Sequence, residues 1–466
     1  MIFHRQEINQ SLLKFLKEID LTNKNDQFLI SFAFKISDID TDFIIDSVIR
    51  ENKKVFYFSR PEENLVLLAF NEIFALKVIG NNKFSNLRTI ISDITANSIN
   101  NFNTDLRQNF PLFFGGTKFC TANNSDEWMD FADNDWFIPN FLFYKKNMEE
   151  YFVINLLKDD IKEIEPFVNN LFGQLDNLYG TQFHSGSGEQ SISIKVNKDK
   201  DEFTLWNILV KDALDKINEG LYRKVVLSRR LIADFTGNPL FHVLLKQLRD
   251  NYGNCNIFLF KSENSVLFGA TPEQLLKYRN KIIEFDALAG SARRGITIQE
   301  DDRIANDLLM DKKNSNEHNH VIEFIRDISL HYVQDFQQSE TGIKKFSNIQ
   351  HIYTPIKGVL KSKDQIYNLV EDIFPTPAIC GSPKSTALKY ITENEKFDRG
   401  MFSGIVGFMN HDEMDLSVAI RSALLTQNQL FIYAGCGIVE GSDPQSEFEE
   451  TEIKMRPILS LFKNED

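Results

Sequence analysis

Between Glu202 and Glu219 apolar residues recur at helical spacing, and Gly220 stands where a left-handed C-cap would end the helix. Lys224 to Leu231 (KVVLSRRL) then reads as a strand. Asn256–Phe260 and Val266–Phe268 read as the arms of a hairpin around Ser262-Glu263-Asn264. Thr271-Pro272-Glu273 carries the signals of a helix start: a hydroxyl N-cap, proline at the first position and an acid in the first turn. The polar run Asp311 to His320 precedes an amphipathic stretch and is expected to open a helix. Towards the end, Leu430–Tyr433 reads as a strand, Gly435–Gly441 as a glycine-rich turn and Pro444–Phe462 as a helix.

Earlier in the chain the pattern is of short apolar strands and turns. Lys54–Arg60 (KVFYFSR) and Asn64–Phe70 (NLVLLAF) read as neighbouring strands, and Phe113–Thr117 (FFGGT) as a glycine-containing strand end. The Ser- and Gly-rich stretch Thr181–Ser193 reads as a loop or linker between an N-terminal part, 1–190, and a C-terminal part, 200–462. Strands and helices do not alternate regularly. The expected fold class is therefore α+β, with mostly antiparallel sheets packed together and flanked by helices, rather than a doubly wound parallel sheet.

The 466 residues, 42% of them hydrophobic, are ample for a large core. The 41 phenylalanines are scattered, as core filling is. A net charge of −14 argues against nucleic acid or an anionic membrane surface as partner. An anionic small substrate remains compatible if Lys and Arg are concentrated in one cleft. Cys120, Cys255, Cys380 and Cys436 form no CxxC pair and read as reduced thiols. The first residues lack a signal-peptide pattern, and no apolar run approaches the roughly 20 residues that span a bilayer. A cytoplasmic location is expected.

Several charged residues could carry chemistry. Glu447, Glu450 and Lys454 stand at i, i+3 and i+7, on one helix face. They could form a solvated charged face, or a Mg²⁺ ligand beside a cation for a substrate carboxylate; Mg²⁺ takes one or two protein carboxylates with water and substrate oxygens. Glu317, at a helix start, could complement the macrodipole or supply a second carboxylate. His318 and His320 lack zinc spacing. Lys224 could snorkel to solvent, or be drawn into a cleft and act as a base. Glu273 could complement its own helix or face such a lysine as a general acid. Gly435-Cys436-Gly437 with Gly441 formally matches a dinucleotide loop, but too little chain follows for a second strand. Glycines there could equally bring backbone N–H groups to a carboxylate.

Taken together, these segments resemble the chorismate-utilising enzymes: isochorismate, salicylate, anthranilate and aminodeoxychorismate synthases. The matching stretches run collinearly: YRKVVLSRR (222–230), LFGATPEQLL (267–276), ALAGSARRG (287–295), NEHNHVIEFI (316–325), FPTPAICGSPKSTAL (374–388), FDRGMFSGIVGF (397–408), SVAIRSALL (417–425) and YAGCGIVEGSDPQSEFEETEIK (433–454). A looser likeness to isochorismate synthases lies in FFGGTKF (113–119), Trp128, Phe131 and Phe137-Ile138-Pro139, so 1–190 is expected to be a more divergent part of the same fold. The resemblance implies that Lys224 is the base activating water and Glu273 the acid protonating the departing hydroxyl. It implies Glu317 and Glu450 as Mg²⁺ ligands, with Glu447 beside them acting through water. It implies Arg421, Lys454, Gly437, Ala378, Ser291 and His318 around the substrate.

Three residues favour water over ammonia as nucleophile. Lys224 stands where ammonia users carry glutamine, Ala289 where aminodeoxychorismate synthases carry a lysine, and Ala378 where ammonia users have threonine. Thr354–Gly358 (TPIKG) imitates that lysine motif out of order, so Lys357 is expected to be an ordinary surface or strand-end lysine. Phe402, Phe374 and Ser291 depart from common family residues. The expected reaction is Mg²⁺-dependent conversion of chorismate to isochorismate. A salicylate synthase, or a chorismate-binding protein without catalysis, stays open, as does supply of menaquinone or of a catechol siderophore. No amidotransferase subunit is expected, and a monomer or weak dimer is.

Overall fold

The computed structural model describes residues 5–22, 24, 27–37, 40–77, 83–102, 110–120, 125–161, 163–180, 192–197, 201–347 and 349–464. The linker expected over Thr181–Ser193 lies, up to residue 191, outside them. Strands from the two parts of the chain interleave in one hydrogen-bonded network. Lys54–Arg60 pairs with Leu65–Lys77 on one side and with Asn256–Ser262 on the other. Phe113–Thr117 lies between Asn134–Lys146 and Ile405–Met409. These pairings are antiparallel; Leu29–Lys35 with Ser98–Asn100, and Ser193–Val196 with Lys463–Asn464, are parallel. Helices flank the sheets, so the fold is the expected α+β.

Aromatic side chains fill the interior. Phe56, Phe58, Phe114, Phe137, Phe260 and Phe408 are buried together. Phe137 stacks on Phe260 at 6.4 Å, and Phe58 meets Phe408 edge-on at 5.6 Å. One polar knot ties the two parts of the chain. The Arg60 guanidinium gives both terminal nitrogens to Asp415, each at 2.8 Å, and also bonds Asn256 and Gln274. This satisfies two charges that would be costly to bury alone.

Most expected elements form: the helix Glu202–Asn218, the strand Lys224–Thr236, the hairpin Asn256–Ser262 and Ser265–Thr271, and the helices Lys312–Tyr332 and Pro444–Leu459. Asp311 and Asp443 cap the last two by accepting from the amides of Asn314 and Ser446.

Two expectations are corrected. Thr271-Pro272-Glu273 starts no helix; Gln274–Arg279 is a strand paired with Glu413–Val418. The Thr271 hydroxyl donates to the Val418 carbonyl, and the Glu273 carbonyl accepts from the Val418 amide. A strand partner more than a hundred residues away thus outweighs the local capping signal. Gly435–Gly441 is not one turn either. Gln429–Val439 is a continuous strand through both glycines, and only Gly441, at φ +79°, has a left-handed backbone there.

Candidate active site

The strand Lys224–Thr236 pairs along its length with Gln429–Val439, which sets Lys224 opposite Val439, Val226 opposite Gly437 and Ser228 opposite Gly435. Alternation turns Lys224, Val226 and Ser228 to one side, where they line a cavity with about 120 Å³ open to the centre of a water molecule. The missing side chains of the facing strand are what make room. A Cβ on Gly437 would stand 2.6 Å from Lys224 Cε and 3.1 Å from Glu317 Oε1, and one on Gly435 would stand 2.6 Å from Ser228 Oγ. Further walls come from the strand Ile282–Arg293, which bulges between Ala289 and Ser291 where Gly290 takes φ +72°, and from the helices Lys312–Tyr332 and Pro444–Leu459.

The cavity is lined by alternating charges. Lys224, only 2% exposed, donates to Glu317 Oε1 at 2.7 Å, so it does not reach out to solvent. Lys454 lies 2.5 Å from Glu450 and donates to the Gly435 carbonyl at 2.9 Å. Lys313 sits 3.3 Å from Glu447. Burial pushes Glu273 up from an ordinary 4.5 to about 7, although Lys224, Arg421 and Lys454 pull the other way. Burial would also raise Glu450, but Lys454, with Arg421 and Lys313, outweighs it and holds this carboxyl below its ordinary value. Two carboxyls in one cavity are thus driven in opposite directions, one towards holding a proton at neutral pH and one towards staying ionised.

Of the residues singled out from sequence, Lys224, Glu273, Ser291, Glu317, Ala378, Arg421, Gly437, Glu447, Glu450 and Lys454 all line this cavity. His318 is not brought to it. Its ring is buried, with Nε2 2.8 Å from Thr354 Oγ1, and burial lowers it to about 4. Lys357 is a surface strand lysine paired with Glu284. Phe402 lines the cavity and stacks on Tyr433 at 5.0 Å.

Sequence reading missed His351, Lys313 and Asn314. His351 stands opposite Ser291 in the strand register, and its Nδ1 is 3.0 Å from Ser291 Oγ. Burial first, then Arg421 and Lys454, keep His351 well below its ordinary pKa, so the ring is neutral. Its Nε2 is buried without a protein partner. The register alone reveals His351, because nothing in its local sequence marks it.

Among the described residues no three His, Cys, Asp or Glu side chains converge as a ready-made metal cluster. Besides Glu273, the carboxylates that line the cavity are Glu317, Glu447 and Glu450, which offer oxygen donors only, each beside a lysine. Such a donor set suits a hard cation that keeps water and substrate oxygens in its shell.

A family model described as chorismate binding enzyme matches residues 14–463. The chain is 28% identical over 471 residues to the isochorismate synthase MenF of Bacillus subtilis (strain 168), covering 99% of this chain and 98% of that protein. It is 34% identical over 266 residues to the salicylate biosynthesis isochorismate synthase of Pseudomonas aeruginosa, a match spanning 55% of either protein. The solved structure of the menaquinone-specific isochorismate synthase MenF from Escherichia coli superposes with a TM-score of 0.78 at 19% identity, over 97% of this chain and 99% of that one, a likeness of fold.

Proposed function

The chain belongs to the chorismate-binding enzymes, and from that premise we propose that it converts chorismate to isochorismate. The observation that carries the proposal is the meeting of Lys224 and Glu273 in a cavity also lined by Arg421 and Lys454. The near full-length likeness to a relative named isochorismate synthase supports it.

Lys224 takes a proton from water as the oxygen bonds to C2 of the substrate. Both double bonds of the ring diene shift, and the C4 hydroxyl leaves as water with the proton from Glu273. One water enters and one leaves, so the product is an isomer. A pKa of about 7 suits Glu273 to this work, since an acid must carry its proton at working pH yet release it readily. Arg421 and Lys454 hold the substrate carboxylates, with amides near Gly437 assisting. Ser291 and Ala378 complete the wall against the ring.

Mg²⁺ fits the carboxylates of Glu317 and Glu450, with Glu447 acting through water. When bound it would anchor a substrate carboxylate and orient the ring. The expected location is the cytoplasm.

The test is product analysis by NMR with pure protein and chorismate, with and without Mg²⁺. Isochorismate formed only with Mg²⁺ is the expected result. Salicylate with pyruvate would move the chain to the salicylate synthases, and unchanged chorismate would overturn catalysis altogether.

A further inference from the structure

Glu273 also borders a second and smaller cavity, which Lys224 does not line. Its walls are largely apolar: Leu275, Leu288, Val321, Ile325, Ile373 and Ala378. The acidic side chains that border it are Glu273 and Asp286, and Thr376 adds a hydroxyl-bearing residue. About 10 Å³ is open there to the centre of a water molecule, enough for one. Thr376 Oγ1 is buried and has no hydrogen-bond partner in the protein, so its own satisfaction calls for water. Asp286 reaches the outside: its side chain is 18% exposed, and it accepts from Lys344 at 2.9 Å and from Tyr353 at 3.1 Å.

The reaction creates a need for such a path. Each turnover leaves Glu273 one proton short and Lys224 one proton rich. While product fills the main cavity, the front of Glu273 is covered, and Lys224, Arg421 and Lys454 face it from that side. We propose that Asp286 is a positioning residue for a second proton path, in which one water in the small cavity, held with Thr376, passes protons from the exposed Asp286 to Glu273. One O–H bond forms at Glu273 as one breaks on the water, the water is refilled through Asp286, and Asp286 is refilled from solvent. No net charge is stored along the path. Lys224 discharges its proton separately through the main cavity.

The proposal rests on Glu273 acting as the acid, and the test separates the two ideas. Asp286→Asn, Asp286→Glu and Thr376→Val are compared with the unaltered protein by quenched-flow and steady-state kinetics with chorismate and Mg²⁺. For Asp286→Asn the first turnover should keep its rate, while later turnovers slow about tenfold, since a proton transfer is worth about 10²–10⁴-fold and slower refilling through the front remains. The result is a burst of one product per enzyme and a larger solvent deuterium isotope effect on kcat, with KM unchanged. Asp286→Glu should restore kcat, and Thr376→Val should fall between. A crystal structure should show one ordered water touching Glu273. If the unaltered protein turns over and Asp286→Asn gives neither burst nor isotope effect, the second path is wrong and the acid assignment stands. If the unaltered protein leaves chorismate unchanged while Glu273 still titrates and the water is present, the reading of function fails instead.

Discussion

Lys224 Nζ lies 2.7 Å from Glu317 Oε1, and the two side chains meet over Gly437, where any Cβ would intrude on both. The pair joins a strand to a helix 93 residues further on in the chain. It brings the proposed base and a proposed metal ligand into direct contact.

Gly437→Ala should therefore displace the amine rather than merely fill space. Activity should fall at least about tenfold, with a stability cost of about 1–3 kcal/mol typical of overpacking. Steady-state kinetics and thermal melts check this, and a variant with native kcat would show that Lys224 can work from elsewhere.

Lys224→Gln keeps length and polarity but cannot take the proton. Isochorismate formation should drop by about 10²–10⁴-fold, with circular dichroism unchanged. Both are read on one preparation.

Glu273 must be protonated to act as acid, so kcat/KM should decline as pH rises through about 7. The sign for stability follows from the same raised value. Below the unfolded carboxyl's 4.5 the contribution is fully present; between 4.5 and about 7 it is lost, because only the unfolded state ionises there. Glu273→Gln should lose the activity, and its stability relative to the unaltered protein should be greater at pH about 8 than at pH about 4. Melts at the two pH values test this.

Chelation of divalent ions should abolish turnover, and Mg²⁺ should restore it. Glu450→Gln should weaken Mg²⁺ binding measured by calorimetry in the presence of chorismate. Unaltered Mg²⁺ affinity in this variant would remove Glu450 from the ligand set.

Asp415→Ala removes the buried, bidentate partner of the Arg60 guanidinium and leaves it only the more exposed Glu63, at 3.2 Å, as charge partner. The expected cost is about 3–5 kcal/mol in chemical denaturation. Activity per folded molecule should be unchanged, because neither residue lines the cavity.

Local pattern determined much of this protein. The helix at Glu202, the strand at Lys224 and the helices that open after Asp311 and at Pro444 are written in neighbouring residues, because periodicity and helix-start signals act over a few positions. The collinear motifs also named Lys224, Glu273, Glu317 and Glu450, since chemistry demands particular side chains. Tertiary structure decided the rest. Whether Pro272-Glu273 begins a helix depended on a strand at Glu413–Val418, and whether Gly435 and Gly437 form a turn depended on what their absent side chains would strike. His351 entered the cavity, and His318 stayed out, through strand register and helix facing. The ionisation of Glu273 and Glu450 was likewise undecided by sequence. It depends on burial and on cations drawn from distant parts of the chain, and neither exists until the chain has folded.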